Sequence, residues 1–292
     1  MFKFVVMCDL HLTHRRPSIR KDDFMRTQLR KLGQLVEWSN EKQAPLLLGG
    51  DIFDTPQISF RFYNLVSDVL RMAKQPVVAT WGQHDVLAHV PDLYVSPVLA
   101  LYHERKLNVL NEVWINRSCR IKTFGFGEKL TTPDNQTIFN VMLAHTPVYE
   151  RIVPPYMKDV VTAKQLKKQA PGYMLYVCGD IHEPFAVDHV VVSGNMLRTS
   201  KDKIGYKPRA YYVEVDNSSF QAEPLFFDIE EGVFNDLTLE NTIRTVKDKA
   251  KLYAMMDKLR HSDRKVMSYK ERCLDRASGE LRDHIAKLFD EV

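Results

Sequence analysis

Five short stretches of this 292-residue chain carry side chains able to bind a metal or move a proton. They are Asp9-Leu10-His11, Gly50-Asp51, Gly82-Gln83-His84-Asp85, His145 and Gly179-Asp180-Ile181-His182. Taken singly, each has a plain structural reading. The Asp-x-His triplet fits a surface turn, Gly50-Asp51 with Asp54 fits a helix cap, and His145 fits a satisfied structural histidine. Taken together they point elsewhere. Clustered carboxylates and imidazoles are costly unless a cation neutralises them. A mixed nitrogen and oxygen donor set suits Mn, Fe or Zn. The chemistry expected is that of a bound metal ion.

Each stretch follows a run that reads as a buried strand. Phe2–Met7 precedes Asp9, Pro45–Leu48 precedes Asp51, and Pro76–Trp81 precedes His84. Phe139–Ala144 precedes His145, and Tyr173–Cys178 precedes Asp180. Such runs, four to eight residues long and bounded by Gly or Pro, suit strands. Helical spacing lies between the early ones, at Phe24, Met25, Leu29, Leu32, Leu35 and Val36, then at Phe62, Leu65, Val66, Val69 and Leu70. Strand and helix thus alternate, which predicts an α/β chain opening with parallel strands. Ligands in such sheets bind outside the carboxyl ends of the strands, where these residues fall. From Leu107 the runs crowd together (107–110, 113–115, 120–124) and read as antiparallel. A further strand group covers 186–192, 210–215 and 220–227.

The remaining features bound the chain more loosely. Hydrophobic residues make up 45%, enough for a sizeable core, and the formal charge of +4 is only mildly basic. Cys8, Cys119, Cys178 and Cys273 are widely spaced and read as reduced thiols. No apolar stretch approaches a membrane span. The start, too soon acidic for a signal peptide, reads as a first strand of a cytoplasmic protein. After Asp228 two amphipathic helices are expected, one through Leu239, Ile243 and Val246, the other through Leu274, Leu281 and Leu288. We therefore expect a domain over 1–228 and a helical extension over 229–292.

The five motifs, in order and each behind a strand, resemble the calcineurin-like metallophosphoesterase superfamily. Its pattern is D-x-H, G-D, G-N-H-D/E, a lone H, then G-H-x-H. The resemblance implies a two-sheet β-sandwich core flanked by helices. Within the superfamily the chain looks most like SbcD-type nucleases of double-strand-break repair. Gly50-Asp51-Ile52-Phe53-Asp54 is close to their G-D-[IL]-F-D, and Ser193–Arg198 stands where they carry a loop. The carry-over implies one metal on Asp9, His11, Asp51 and His182, and a second on Asp51, Gln83, His145 and Asp180. A water-derived nucleophile would attack phosphorus in line. His84 would serve the leaving oxygen, with Asp85 orienting His84. Two positions depart from the pattern: Gln83 replaces its Asn and Asp180 its first His of the last motif. The oxygen-rich second set favours Mn²⁺, with Mg²⁺ as the alternative, over Zn²⁺. The two changes either compensate each other or weaken that site.

A basic loop, His14, Arg15, Arg16 and Arg20, starts three residues past His11, and Arg198 heads a second cluster. These are DNA-backbone contacts or solvated residues. The seven-residue leucine spacing of the tail either packs on its own domain or docks a partner. The leading expectation is a metal-dependent DNA nuclease, exo- or endonucleolytic, working in repair with an SbcC-type coiled-coil ATPase bound through the tail. A homodimer is compatible and a membrane is not expected. The alternatives are a phosphatase or phosphodiesterase on a non-DNA substrate, and a non-catalytic DNA-binding subunit.

Overall fold

A computed structural model describes residues 1–90, 93–151, 153 and 160–235. The expected tail helices and Cys273 lie outside them. The strands are β1 (Phe2–Met7), β2 (Leu46–Gly49), β3 (Val77–Thr80), β4 (Glu112–Asn116), β5 (Cys119–Phe124) and β6 (Phe139–His145). Then come β7 (Val148–Tyr149), β8 (Val161–Thr162), β9 (Leu175–Gly179), β10 (Phe185–Val187), β11 (Val190–Val192), β12 (Arg209–Val215) and β13 (Phe220–Phe226). The helices are α1 (Phe24–Lys42), α2 (Phe60–Leu70), α3 (Pro97–His103) and α4 (Ala163–Gln169).

Alternating burial builds a sandwich. One sheet has the order β13-β12-β1-β2-β3, with β1, β2 and β3 parallel. The other has the order β10-β11-β9-β6-β5-β4, parallel from β11 through β5. Phe4 and Val6 of β1 face the second sheet's Ile121, Val141, Leu143 and Val177. Val5 and Met7 face the other way, onto Leu32, Leu35 and Val36 of α1 and Phe62 and Val66 of α2. Met142, Ala144 and Tyr176 cover the outer face of the second sheet with Leu166 of α4. This is the expected α/β sandwich of two sheets flanked by helices, and the two-sided burial of its central strands explains the nearly continuous apolar runs.

Helix ends follow local chemistry. Asp23 caps α1 by accepting from the Arg26 N–H, and Ser59 caps α2 by accepting from the Phe62 N–H. The hairpin β4–β5 is antiparallel as expected, but Leu107–Leu110 forms no strand. Asn108 instead bridges to Val78 at the edge of β3, satisfying that strand's open side. The run 186–192 breaks into β10 and β11 because Asp188 (φ 48°) and His189 (φ 67°) turn the chain in the left-handed region.

The three described cysteines are free and buried. Residues 228–235 pack on α1 through Glu230, which meets Arg30 and Lys31. Residues 228–235 are thus held to the unit that α1 belongs to. Among the described residues no helix is long and apolar enough to cross a membrane.

Candidate metal centre

The carboxyl ends of both sheets converge. The Asp180 N–H donates to the Asp9 carboxylate at 3.0 and 3.2 Å, and His145 Nδ1 lies 2.8 Å from the Gly49 carbonyl. Asp9 (φ 51°), His11 (φ 47°), Asp51 (φ 46°) and Asp180 (φ 93°) all sit on left-handed backbone. Non-glycine residues there cost about 1–3 kcal/mol each and concentrate at functional sites. The fold tolerates the strain because the loops after β1 and β2 keep pairing: Asp9 N–H donates to Gly50 O, and His11 N–H to Asp51 O. Glycine is required at two points of closest approach. At Gly50 (φ 89°) a Cβ would collide with the His145 ring, and at Gly82 with the Asp51 carboxylate.

The side chains form two adjoining groups. In the first, His11 Nε2 and His182 Nε2 face each other at 3.3 Å, with Asp51 Oδ2 3.7 Å from His11. In the second, His145 Nε2 lies 3.5 Å from Asp51 Oδ2 and 4.0 Å from Asp180 Oδ1. Asp51 therefore stands between them. Ligand atoms of Asp9, His11 and His182, and separately of Asp9, Asp51 and His145, all fall within 4.8 Å of one another. Gln83 Nε2 donates to Asp180 Oδ1 at 3.0 Å. The two residues that depart from the family pattern thus bond to each other, and the bond aims the Gln83 amide. Gln83 Oε1 and His145 Nε2 are buried with no hydrogen-bond partner. Orphaned buried polar atoms cost about 1–3 kcal/mol each unless something fills the gap. Facing imidazole nitrogens, orphaned polar atoms and a shared carboxylate together fit bound divalent cations.

The electrostatics are those of unneutralised ligands. Burial pushes the Asp9 carboxyl up to about 7. Burial works against the Asp51 anion too, but His145 and His11 outweigh it and hold that carboxyl down to about 2. Burial alone would lower His145; Asp51 and Asp9 instead raise it to about 10. His182 is held down to about 4 by burial and by the His11 and Lys203 charges.

The roles expected of the remaining residues change in three places. Asp85 does not orient His84. Its buried carboxylate accepts from Gly82 N–H (2.9 Å), Phe53 N–H (2.8 Å) and Ile52 N–H (3.1 Å). The short helical turn at Gln83–Asp85 folds the side chain back onto the backbone of its own and the neighbouring loop. Asp54, which sequence reasoning left without a role, is the group beside His84: its carbonyl lies 3.2 Å from His84 Nδ1. Its carboxylate also stands 3.4 Å from His11 Nδ1, near enough to orient that ring without the alignment of a full hydrogen bond. The second aspartate of Gly50-Asp51-Ile52-Phe53-Asp54 was the available signal.

The basic residues divide. Arg15 and Arg16 are exposed and His14 is half-buried. Arg20 and Arg198 are buried, at 2% and 6% exposure. Arg20 is spent on Asp22 at 2.8 and 2.7 Å, and Arg198 on the carbonyls of Ile204 and Glu230. Neither guanidinium is available to DNA, contrary to expectation.

No curated protein matches the chain. Among solved structures it is similar to the TT1561 protein of Thermus thermophilus at 13% identity, over 76% of this chain and 98% of that one, with a TM-score of 0.47. It is also similar to a novel archaeal phosphodiesterase at 13% identity, over 77% of this chain and 100% of that one, with a TM-score of 0.37. The family model described as calcineurin-like phosphoesterase matches residues 2–184, which takes in all five motifs and well over half the sequence. The chain belongs to the calcineurin-like phosphoesterase family, and that membership implies metal-dependent phosphoester hydrolysis.

Proposed function

We propose that the chain is a metal-dependent DNA nuclease that hydrolyses phosphodiester bonds. Asp9, His11, Asp51 and His182 would hold one cation, and Asp51, Gln83, His145 and Asp180 the other, Mn²⁺ by the hardness of the second set. Cations held there would offset phosphate charge and lower the pKa of water. The chain's own part is positioning and proton transfer. The Asp51 carboxylate is fixed by the His84 N–H at 2.9 Å. The His84 ring packs edge-on to His11 at 5.0 Å, with Nδ1 toward the Asp54 carbonyl. Its Nε2 is the atom left to protonate a leaving oxygen.

The observation that carries the DNA reading is the pair Arg15 and Arg16, exposed four and five residues past His11. Guanidinium groups beside a hydrolytic site suit a substrate with phosphates on both sides of the scissile one. An SbcC-type ATPase docked on 229–292 is part of the proposal. It rests on the Leu274, Leu281, Leu288 spacing alone.

The test is Mn²⁺-dependent cleavage of end-labelled linear duplex and single-stranded DNA, beside a chromogenic phosphodiester. DNA cleavage that disappears in Asp51→Ala is expected. Turnover of the small diester alone would point to a non-DNA substrate. DNA binding without turnover under any divalent metal would point to a non-catalytic subunit.

A further inference from the structure

Arg20 and Arg198, lost as DNA contacts, meet around a single aromatic ring. The buried side chain of Phe234 lies 5.4 Å from the Arg20 guanidinium and 5.1 Å from that of Arg198. Two like charges share that ring because each is compensated elsewhere. Arg20 is held by Asp22, and Arg198 meets the Glu230 carboxylate at 3.4 Å. Glu230 is in turn fixed by Arg30 at 2.7 Å and Lys31 at 3.0 Å on α1. Backbone bonds complete the joint. Lys21 N–H donates to Val233 O at 2.8 Å, Asn235 N–H to Ile19 O at 3.1 Å, and Asn235 Nδ2 to Ser18 O at 3.0 Å. Arg20 Nη1 donates to the Arg198 carbonyl at 3.1 Å, tying one loop directly to the other.

The two loops joined in this way both border the metal ligands. Residues 12–21 continue from His11 and expose Arg15 and Arg16. Residues 198–207 expose Lys201 and Lys207, and Tyr206 of this loop crowds Gly194 together with the His182 carbonyl. We propose that Phe234, with Glu230, is a positioning residue for polyanionic substrate: it fixes the spacing of two cationic rims beside His11 and His182. This rests on the DNA reading above. A small diester needs only the metal site, whereas a polynucleotide also needs both rims. The ring attracts both guanidinium groups and so ties both loops to residues 230–235. Removing the shared ring takes one tie from each loop without touching a ligand, while the bonds through Glu230 and the backbone stay.

The variants are Phe234→Ala and Phe234→Tyr, the latter keeping the ring. The readouts are KM and kcat on linear DNA, the rate on bis(p-nitrophenyl) phosphate, and tryptic cleavage after Arg15 and Lys21 followed by mass spectrometry. In Phe234→Ala we expect the DNA KM to rise about tenfold, as for loss of one or two phosphate contacts. We expect kcat and the diester rate to stay within about twofold, since no ligand moves, and cleavage after Arg15 and Lys21 to accelerate. Phe234→Tyr should restore parental values. An unchanged DNA KM, or DNA and diester rates falling together, overturns the proposal, the second result meaning that Phe234 only holds the fold. A parent that hydrolyses the diester but neither binds nor cuts DNA overturns the DNA reading and this proposal with it. A parent that cuts DNA, with parental KM in Phe234→Ala, overturns this proposal alone.

Discussion

Asp85→Ala separates two accounts of one aspartate. If Asp85 oriented His84, its loss would slow catalysis and leave the fold alone. The structure makes it instead the acceptor for three buried N–H groups, of Gly82, Ile52 and Phe53. Leaving a buried donor unpaired costs about 1–3 kcal/mol, so three cost about 3–9 kcal/mol together. Part is recovered, because burial and the Asp51 charge already push the Asp85 carboxyl up to about 7 and so penalise its anion. A net loss of about 2–5 kcal/mol is a large share of the 5–15 kcal/mol usual for a domain. At a slope near 2 kcal/mol per molar urea, the midpoint should fall by about 1–2.5 M. The pH dependence has a definite sign. A carboxyl whose folded pKa is raised contributes most below its unfolded pKa, near 4, and loses that contribution as pH rises through about 7. The midpoint gap between parent and variant, measured in EDTA, should therefore be wider near pH 5 than near pH 8. A parental midpoint at both pH values, with kcat down about a hundredfold, would refute this and restore Asp85 as the orienter of His84.

Three further outcomes follow from the same geometry. Asp54→Leu removes the carboxylate 3.4 Å from His11 but keeps the carbonyl facing His84; Mn²⁺ affinity by titration should fall about 10–100-fold, with kcat at saturating metal near parental. Gln83→Asn and Asp180→His should each weaken metal binding by breaking the bond between them, while the double variant recovers part of the loss; strictly additive losses in the cycle would contradict the pairing. Asp9 at about 7 and His145 at about 10 carry protons that must leave when a cation binds. Titration calorimetry at pH 7 in buffers of different ionisation enthalpy should thus show release of about one to two protons per chain, and affinity should rise with pH. Heats that do not depend on the buffer would contradict this.

What the sequence displayed and what it hid have physical reasons. Strand runs and the Asp/His-bearing turns were legible because both sheets are buried on two faces and end at one edge, so apolar continuity and its abrupt polar stop coincide. The roles of Asp85 and Asp54 were not legible. A turn three residues long decides which way the Asp85 carboxylate points, the loop after β2 decides it for Asp54, and neighbouring aspartates look alike in one dimension. Arg20 and Arg198 read as solvated because arginine usually is. Their burial depends on Phe234 and Glu230, some two hundred residues and about thirty residues away in the chain. The Gln83–Asp180 bond was not legible either, since only the folded chain brings the two departures within 3.0 Å.

In the proposed arrangement Asp51 joins two cation sites built from Asp9, His11, Gln83, His145, Asp180 and His182. Its most direct test is Mn²⁺ titration of the metal-free protein followed by electron paramagnetic resonance. We predict two ions per chain, with the exchange-coupled spectrum of a carboxylate-bridged pair, and loss of that coupling in Asp51→Asn. One uncoupled ion per chain, or a coupled pair that survives Asp51→Asn, would contradict the account.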